Sequence, residues 1–202
     1  MIRVFNWNAR GLGSADKRRY LRDVLFNNHL DIVGIQETTK ETFPIRTLNA
    51  LSSSISHWIF KASQGSSGGI LLGINDTKFS ILNSWIMDFS ISVHLKNKSD
   101  PFEWIFTVVY GPVLSSQRST FLTELRSISG LCSLPWLIGG DFNLIRARHE
   151  RQGPSFNYIL SNRFNNVISD LDLMELPIHN CKFTWARSVS SPSRSLLDRF
   201  FL

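Results

Sequence analysis

The chain lacks several features that would have fixed its chemistry at once. It has only 2 cysteines in 202 residues. Cys132 and Cys181 have no metal-ligand spacing and read as buried thiols in a reducing compartment. No cluster supplies the His and Cys ligands of a structural zinc. No glycine loop is followed by Lys-Ser/Thr, so the usual triphosphate cradle is missing. Gly65-Ser66-Ser67-Gly68-Gly69 is a flexible loop before a strand, and without the lysine it is a weak phosphate site. No apolar run is long enough to cross a bilayer. The start, Met1 to Asn8, alternates and turns polar without the long apolar stretch of a signal peptide. The expected location is therefore intracellular, the nucleus included, and not secreted.

Acidic residues are also scarce, 16 against 22 Lys and Arg, giving a net charge of +6. That excess favours polyanions without selecting one. The densest basic cluster is Arg10, Lys17, Arg18, Arg19 and Arg22, in which Lys17 and Arg18 read as the solvated face of a helix. What is present is core-forming: 43% hydrophobic and 12% aromatic residues argue against disorder. One domain over residues 1–202 is expected, with no repeat or linker.

Periodicity places a strand at residues 2–8 and a helix from Ala15, capped by Ser14, with Tyr20, Leu21, Val24 and Leu25 on its apolar face. A doubly covered strand follows at residues 32–35. Residues 41–55 are weakly helical. Strands at 57–60, 69–74, 79–85, 90–95 and 103–109 follow so closely that they imply antiparallel neighbours. Residues 96–101 form a hairpin tip. Helices are predicted over 116–128 and 158–171, with a strand at 134–138 between them and final strands at 181–185 and 196–202. The pattern predicts an α/β fold of two stacked mixed sheets with helices outside.

Several of these strands end in polar groups: Asn8, Glu37, Tyr110, then Asp141 and Asn143, with Asp198 on the last. Each has an ordinary structural explanation. Asn8 and Asn143 suit turns, Glu37 suits a first helical turn, Tyr110 suits packing, and Asp198 beside Arg199 suits a local ion pair. Gly139-Gly140-Asp141-Phe142-Asn143 is equally a turn and a site. Together the groups fit phosphodiester hydrolysis, which needs a hard cation, a base for water and donors for the developing charge. Carboxylate and amide oxygens suit Mg²⁺.

Asn6-Trp7-Asn8 with Gly11, Gln36-Glu37-Thr38, Val109-Tyr110-Gly111-Pro112, Gly140-Asp141-Phe142-Asn143 and Leu197-Asp198-Arg199-Phe200 follow the motif order of the endonuclease/exonuclease/phosphatase superfamily. Phe183-Thr184-Trp185 before Leu197-Asp198-Arg199-Phe200 most resembles the endonuclease domain of plant LINE-type (non-LTR) retrotransposons. The resemblance implies a four-layer α/β sandwich, Mg²⁺-dependent cleavage of DNA (with Mn²⁺ as a substitute), no membrane and a monomer. It implies Glu37 as the main metal ligand with Asn8 beside it, and Tyr110 at the scissile phosphate. It further implies Asp141 orienting or deprotonating the attacking water, Asn143 at the phosphate, and Asp198 supporting a histidine. Thr184, Trp185 and Arg10 fall on the DNA-facing surface. Arg10 stands where repair nucleases of the superfamily carry an acid, which favours the retroelement branch.

The superfamily's terminal Ser-Asp-His motif has no counterpart before Leu202. On that resemblance the domain is incomplete at its C-terminus, lacking a last strand and loop, and weakly active or inactive. His149 is the one histidine near a motif and reads as a surface residue. An exposed, sticky edge is expected at the final strand, from Leu196, Leu197, Phe200, Phe201 and Leu202. The alternatives are a non-catalytic basic nucleic-acid-binding remnant and, ranked last, an inositol-phosphate or lipid phosphatase of the same superfamily.

Overall fold

Short apolar runs bounded by turn residues become strands along the whole chain. The computed structural model describes residues 1–64, 67–131, 133–187 and 193–202; Cys132 and the Gly65-Ser66 part of the glycine loop lie outside them. In chain order the elements are β1 (Val4–Asn8), α1 (Ala15–Asn28), β2 (Ile32–Gln36), α2 (Ile45–Asn49), β3 (His57–Gln64) and β4 (Ser67–Ile74). Then come β5 (Phe79–Ile86), β6 (Ser90–Asn97), β7 (Glu103–Tyr110), α3 (Arg118–Ser129), β8 (Trp136–Asp141) and β9 (Arg151–Gln152). The chain closes with α4 (Tyr158–Asp170), β10 (Trp185–Ala186), β11 (Arg194–Ser195) and β12 (Asp198–Phe201).

Two mixed sheets result. One has the order β1-β2-β4-β3 and the other β12-β8-β7-β6-β5, while β10-β11-β9 make a small third sheet. β1 pairs parallel with β2, and β7 parallel with β8; the other pairings are antiparallel. Three apolar clusters separate four layers. Leu21 and Leu25 of α1 and Leu48 of α2 pack on Val33, Ile35 and Leu71. Between the sheets, Ile32, Leu72 and Ile74 meet Val93, Leu95, Phe106 and Val108. On the far side, Phe121 and Leu125 of α3 and Phe164, Val167 and Ile168 of α4 cover Val109, Ile138 and Phe201. The expected α/β sandwich of two mixed sheets flanked by helices is the fold observed.

Local chemistry explains the elements and several departures. Ser14 caps α1 by accepting from the Lys17 amide at 3.2 Å, satisfying one orphan donor of the first turn. Leu21 and Leu25 are buried, but Tyr20 is exposed and meets Trp7 edge-on at 5.4 Å between ring centroids. Lys17 and Arg18 are not a free solvated face. Lys17 Nζ donates to the carbonyls of Ala9 (2.7 Å) and Arg10 (2.6 Å), and Arg18 Nη1 to those of Leu12 (2.9 Å) and Gly13 (2.6 Å). Residues 41–55 yield only the short α2, which follows Pro44 and has no side-chain cap. Most of 181–185 is irregular, with strand only from Trp185, and Cys181 is exposed rather than buried.

The last strand is not a bare edge. Met174 and Leu202 exchange amide-to-carbonyl bonds of 2.8 and 2.9 Å, and the Leu176 amide donates to the Phe200 carbonyl at 2.9 Å. Phe201 and Leu197 are buried; Leu202 is exposed. Beneath this strand, Arg199 is fully buried. Its guanidinium bonds Glu150, Glu175 and the Leu196 carbonyl rather than its neighbour Asp198. Glu150 in turn accepts from the amides of Arg146 (2.7 Å) and Ala147 (3.2 Å), so one buried cation ties β12 to the segment after β8.

Arg199→Ala would leave the buried Glu150 without its counter-ion and Glu175 with Arg146 alone, at a cost of about 3–5 kcal/mol. Urea unfolding should show that loss. A change below about 1 kcal/mol would mean that the network does not hold β12.

Candidate active site

Strand register assembles the polar ends. In the first sheet Asn8 stands opposite Gln36, and Glu37 follows directly. Beyond the strands the ladder continues, with Ala9 donating to Gln36 at 2.9 Å, Gly11 to Glu37 at 2.7 Å and Leu12 to Thr38 at 3.0 Å. In the second sheet Tyr110 is opposite Asp141, and Asp141 is opposite Asp198 on its other side. The parallel pairs end at the same edge of the sandwich, which carries the polar ends of both sheets into one cleft of about 750 Å³.

Asn8, Arg10, Glu37, Tyr110, Asp141, Asn143 and Trp185 all line that cleft. Asn8 Nδ2 donates to Asp141 Oδ2 at 2.8 Å, a direct bond between the sheets. The Asn143 amide donates to Asp141 Oδ1 at 2.9 Å, and Asn143 Nδ2 to the Gly111 carbonyl at 2.7 Å. Both oxygens of Asp141 are thus held and its rotation is fixed. Asp198 does not line the cleft; it stands behind Asp141 on β12. Thr184 is exposed, and its hydroxyl oxygen accepts from the amides of Leu197 (3.1 Å) and Asp198 (3.0 Å). Its place is therefore under Asp198, whereas Trp185 reaches the cleft.

Backbone geometry is unusual at the same place. Arg10, Glu37 and Asn143 have φ of 46°, 52° and 50°. Asn tolerates this left-handed region; Glu and Arg enter it at a cost of order 1 kcal/mol. Gly140 has φ of 139°, and a Cβ there would lie 2.2 Å from the Val109 carbonyl oxygen. At Gly139 a Cβ would meet Phe200 at 2.4 Å and Asn6 Nδ2 at 2.5 Å. The glycine pair is there to let β8 lie against β7, Phe200 and Asn6.

Electrostatics mark the cleft as well. Burial, then the charges of Asp198 and Glu37, push Asp141 up to about 6 despite the bonds from Asn8 and Asn143. Asp198 is also raised, chiefly by burial, with the Thr184 hydroxyl and the charges of Arg10 and Arg199 opposing. Burial and the negative charges of Glu37 and Asp141 raise Tyr110, so its hydroxyl stays protonated. Among the described residues, no group of three His, Cys, Asp or Glu side chains is placed to hold a metal. The donors that do face the cleft, Glu37 and Asp141 with Asn8 and Asn143, are hard oxygens. That set fits a cation such as Mg²⁺, which takes one or two protein ligands and keeps its waters.

The chain belongs to the endonuclease/exonuclease/phosphatase family. The family model matches residues 5–202. No curated protein matches the chain. Among solved structures, the endonuclease domain of TRAS1, a telomere-specific non-LTR retrotransposon, has a TM-score of 0.72 at 12% identity, covering 100% of this chain and 84% of that one. The 3′ phosphatase NExo from Neisseria, bound to a product DNA hairpin, gives 0.74 at 14%, with 100% and 86% covered. D. rerio TDP2 with a single-strand DNA product gives 0.67 at 17%, with 99% and 82% covered. At such identities the likeness is one of fold.

The cleft also contains residues outside the sequence motifs. Arg118, Arg151, Phe156 and Tyr158 line it. Their one sequence signal was an aromatic pair, Phe156 and Tyr158, at the start of a predicted helix. Gln36 is fully buried with neither amide atom bonded, as are both amide atoms of Asn6, in the sandwich just beneath Glu37 and Asp141.

Metal-free protein should reveal the raised Asp141 through stability. The folded state holds that proton up to about pH 6, whereas the unfolded chain releases it near 3.8, so stability falls as pH rises through this window. Asp141→Asn should lessen that fall, leaving the share due to Asp198, and stabilise the protein at pH 7 by about 1–3 kcal/mol. Thermal melts from pH 4 to 7 check it; identical slopes for the two proteins would refute the assignment.

Proposed function

We propose that this chain is a Mg²⁺-dependent phosphodiester hydrolase of the DNA-endonuclease type, of retrotransposon origin and of low turnover. The observation that carries the reading is Asp141. It is buried and fixed by Asn8 and Asn143, flanked by Tyr110 and Asp198, and open to a cleft with Glu37 and Arg10. A carboxylate near its titration point, with both oxygens oriented, is suited to take a proton from an attacking water. Asn8 and the Asn143 amide hold it in that orientation. Tyr110, kept protonated beside Glu37 and Asp141, can donate to a phosphate oxygen. Arg10 supplies positive charge beside it. A divalent cation at Glu37 and Asn8 would supply charge neutralisation on the phosphate.

Low turnover has its own support. None of the residues described as lining the cleft is a histidine, and His149 is exposed. Losing one electrostatic donor to a developing oxyanion costs roughly 10²–10³ in rate. The same observation favours a second reading, a basic nucleic-acid-binding domain that no longer cuts. Retroelement origin is supported by Phe183-Thr184-Trp185 and Leu197-Asp198-Arg199-Phe200, a polyanionic substrate by the net charge, and DNA in particular by the DNA products bound to TDP2 and NExo, which share the fold. DNA is the partner in either reading, at an intracellular location that includes the nucleus.

Nicking of supercoiled plasmid in Mg²⁺ should be slow, abolished by EDTA, and lost in Glu37→Ala and Asp141→Ala. Equal background from the wild type and both variants would defeat the catalytic reading. In that event salt-dependent DNA binding without nicking would establish the second.

A further inference from the structure

One wall of the cleft is wrong for water and right for a flat apolar ring. Tyr158 and Ile159, at the start of α4, keep 65% and 70% of their surface exposed, and Val113, in the loop after β7, keeps 66%. All three line the same cleft as Asp141. Singly exposed apolar side chains are ordinary, but a cluster of large ones at the rim of a polar cleft marks a contact surface. Phe156 props the cluster: it is half-buried, and its ring meets that of Tyr158 edge-to-face at 4.7 Å and 87°. The partner holds Tyr158 by its edge contact and leaves much of the ring free.

Beside this wall stand two arginines with donors to spare. Arg118 Nε is buried without a hydrogen-bond partner, and Arg118 Nη2 makes only a long 3.4 Å bond to the Val113 carbonyl. Arg151 Nε is likewise buried and unpartnered, with Nη1 on Ser195 Oγ at 3.3 Å. Unsatisfied guanidinium donors in a cleft call for an anion with several oxygens. An apolar ring platform and two arginines lining one cleft match one chemical unit, an aromatic base joined to a phosphate.

We propose that Tyr158, propped by Phe156 and bordered by Ile159, is a stacking platform for one unpaired nucleobase, with Arg118 and Arg151 taking its phosphate. This rests on the phosphodiesterase reading of the cleft and specifies its substrate. In a continuous duplex each base is already stacked on its neighbours and turned inward. The platform is satisfied only by a single strand, a frayed end or an extruded base. The chain therefore prefers unpaired over fully paired polynucleotide.

The test is binding, which does not depend on turnover. A short DNA single strand carrying 2-aminopurine, and the same strand in a duplex, are titrated with protein in Ca²⁺. The wild type should quench the fluorescence of the single strand and bind it more tightly than the duplex. Tyr158→Ala should weaken single-strand binding roughly tenfold and remove the quenching. Tyr158→Trp should restore both, and the duplex affinity should change by less than about twofold in either variant. Tyr158 is largely exposed, so both variants should fold. Unchanged single-strand affinity in Tyr158→Ala, or equal loss on both substrates, overturns the platform. Plasmid nicking insensitive to Glu37→Ala, with quenching intact in Tyr158-wild-type protein, defeats catalysis while supporting the platform. A wild type that binds neither form overturns both.

Discussion

The bond from Asn8 to Asp141 is where two independently built sheets have to agree. Asn8 closes β1 and Asp141 closes β8, and they meet at 2.8 Å only if both sheets stack with their parallel pairs ending at one edge. Much of the surrounding sequence serves that meeting. Gly139 clears room for Asn6 and Phe200, Gly140 takes a conformation closed to most residues, and the loop after β1 is tied back by Lys17 and Arg18. A sandwich that slid by one residue would lose this contact along with the fit of its inter-sheet core. The site and the core therefore demand the same stacking.

Charge in the cleft is arranged against stability. Asp141 and Asp198 stand opposite each other across a strand pair, with Glu37 near enough to raise both Asp141 and Tyr110. Opposing them are Arg10 and the buried Arg199, and Arg199 is largely engaged by Glu150 and Glu175. A set of carboxylates left short of counter-charge in a chain of net charge +6 is a local deficit that a cation or a proton can fill. Strained φ at Arg10 and Glu37 adds to the cost. Such local conflicts gather where function overrides packing.

Much of this was legible in the sequence, and the parts that were not have identifiable causes. The strand pattern is strong because β2, β4, β7 and β8 are apolar runs bounded by turn residues, and the two mixed sheets follow from the short spacings in between. Strand ends named the cleft residues because parallel neighbours end together. Helix-face assignments failed at Tyr20, which lies on Trp7 outside the core, and at Lys17 and Arg18, whose targets are carbonyls several residues upstream. The pairing of Arg199 could not be read from its neighbour Asp198, since adjacent strand residues point to opposite faces. Its carboxylates come from 49 and 24 residues away. The cover over β12 by residues 174–176 was hidden for a similar reason: an irregular segment has no periodicity to betray a backbone pairing.

The clasp of Lys17 and Arg18 on the loop at residues 9–13 also bears on how a polyanion would be met. Lysine and arginine ordinarily surrender considerable rotational freedom when they engage a ligand. Here two of them have surrendered it already, on folding, and their charges are pinned to the carbonyls of a loop whose Arg10 faces the cleft. An approaching phosphate chain would encounter a field fixed in space rather than side chains still to be gathered.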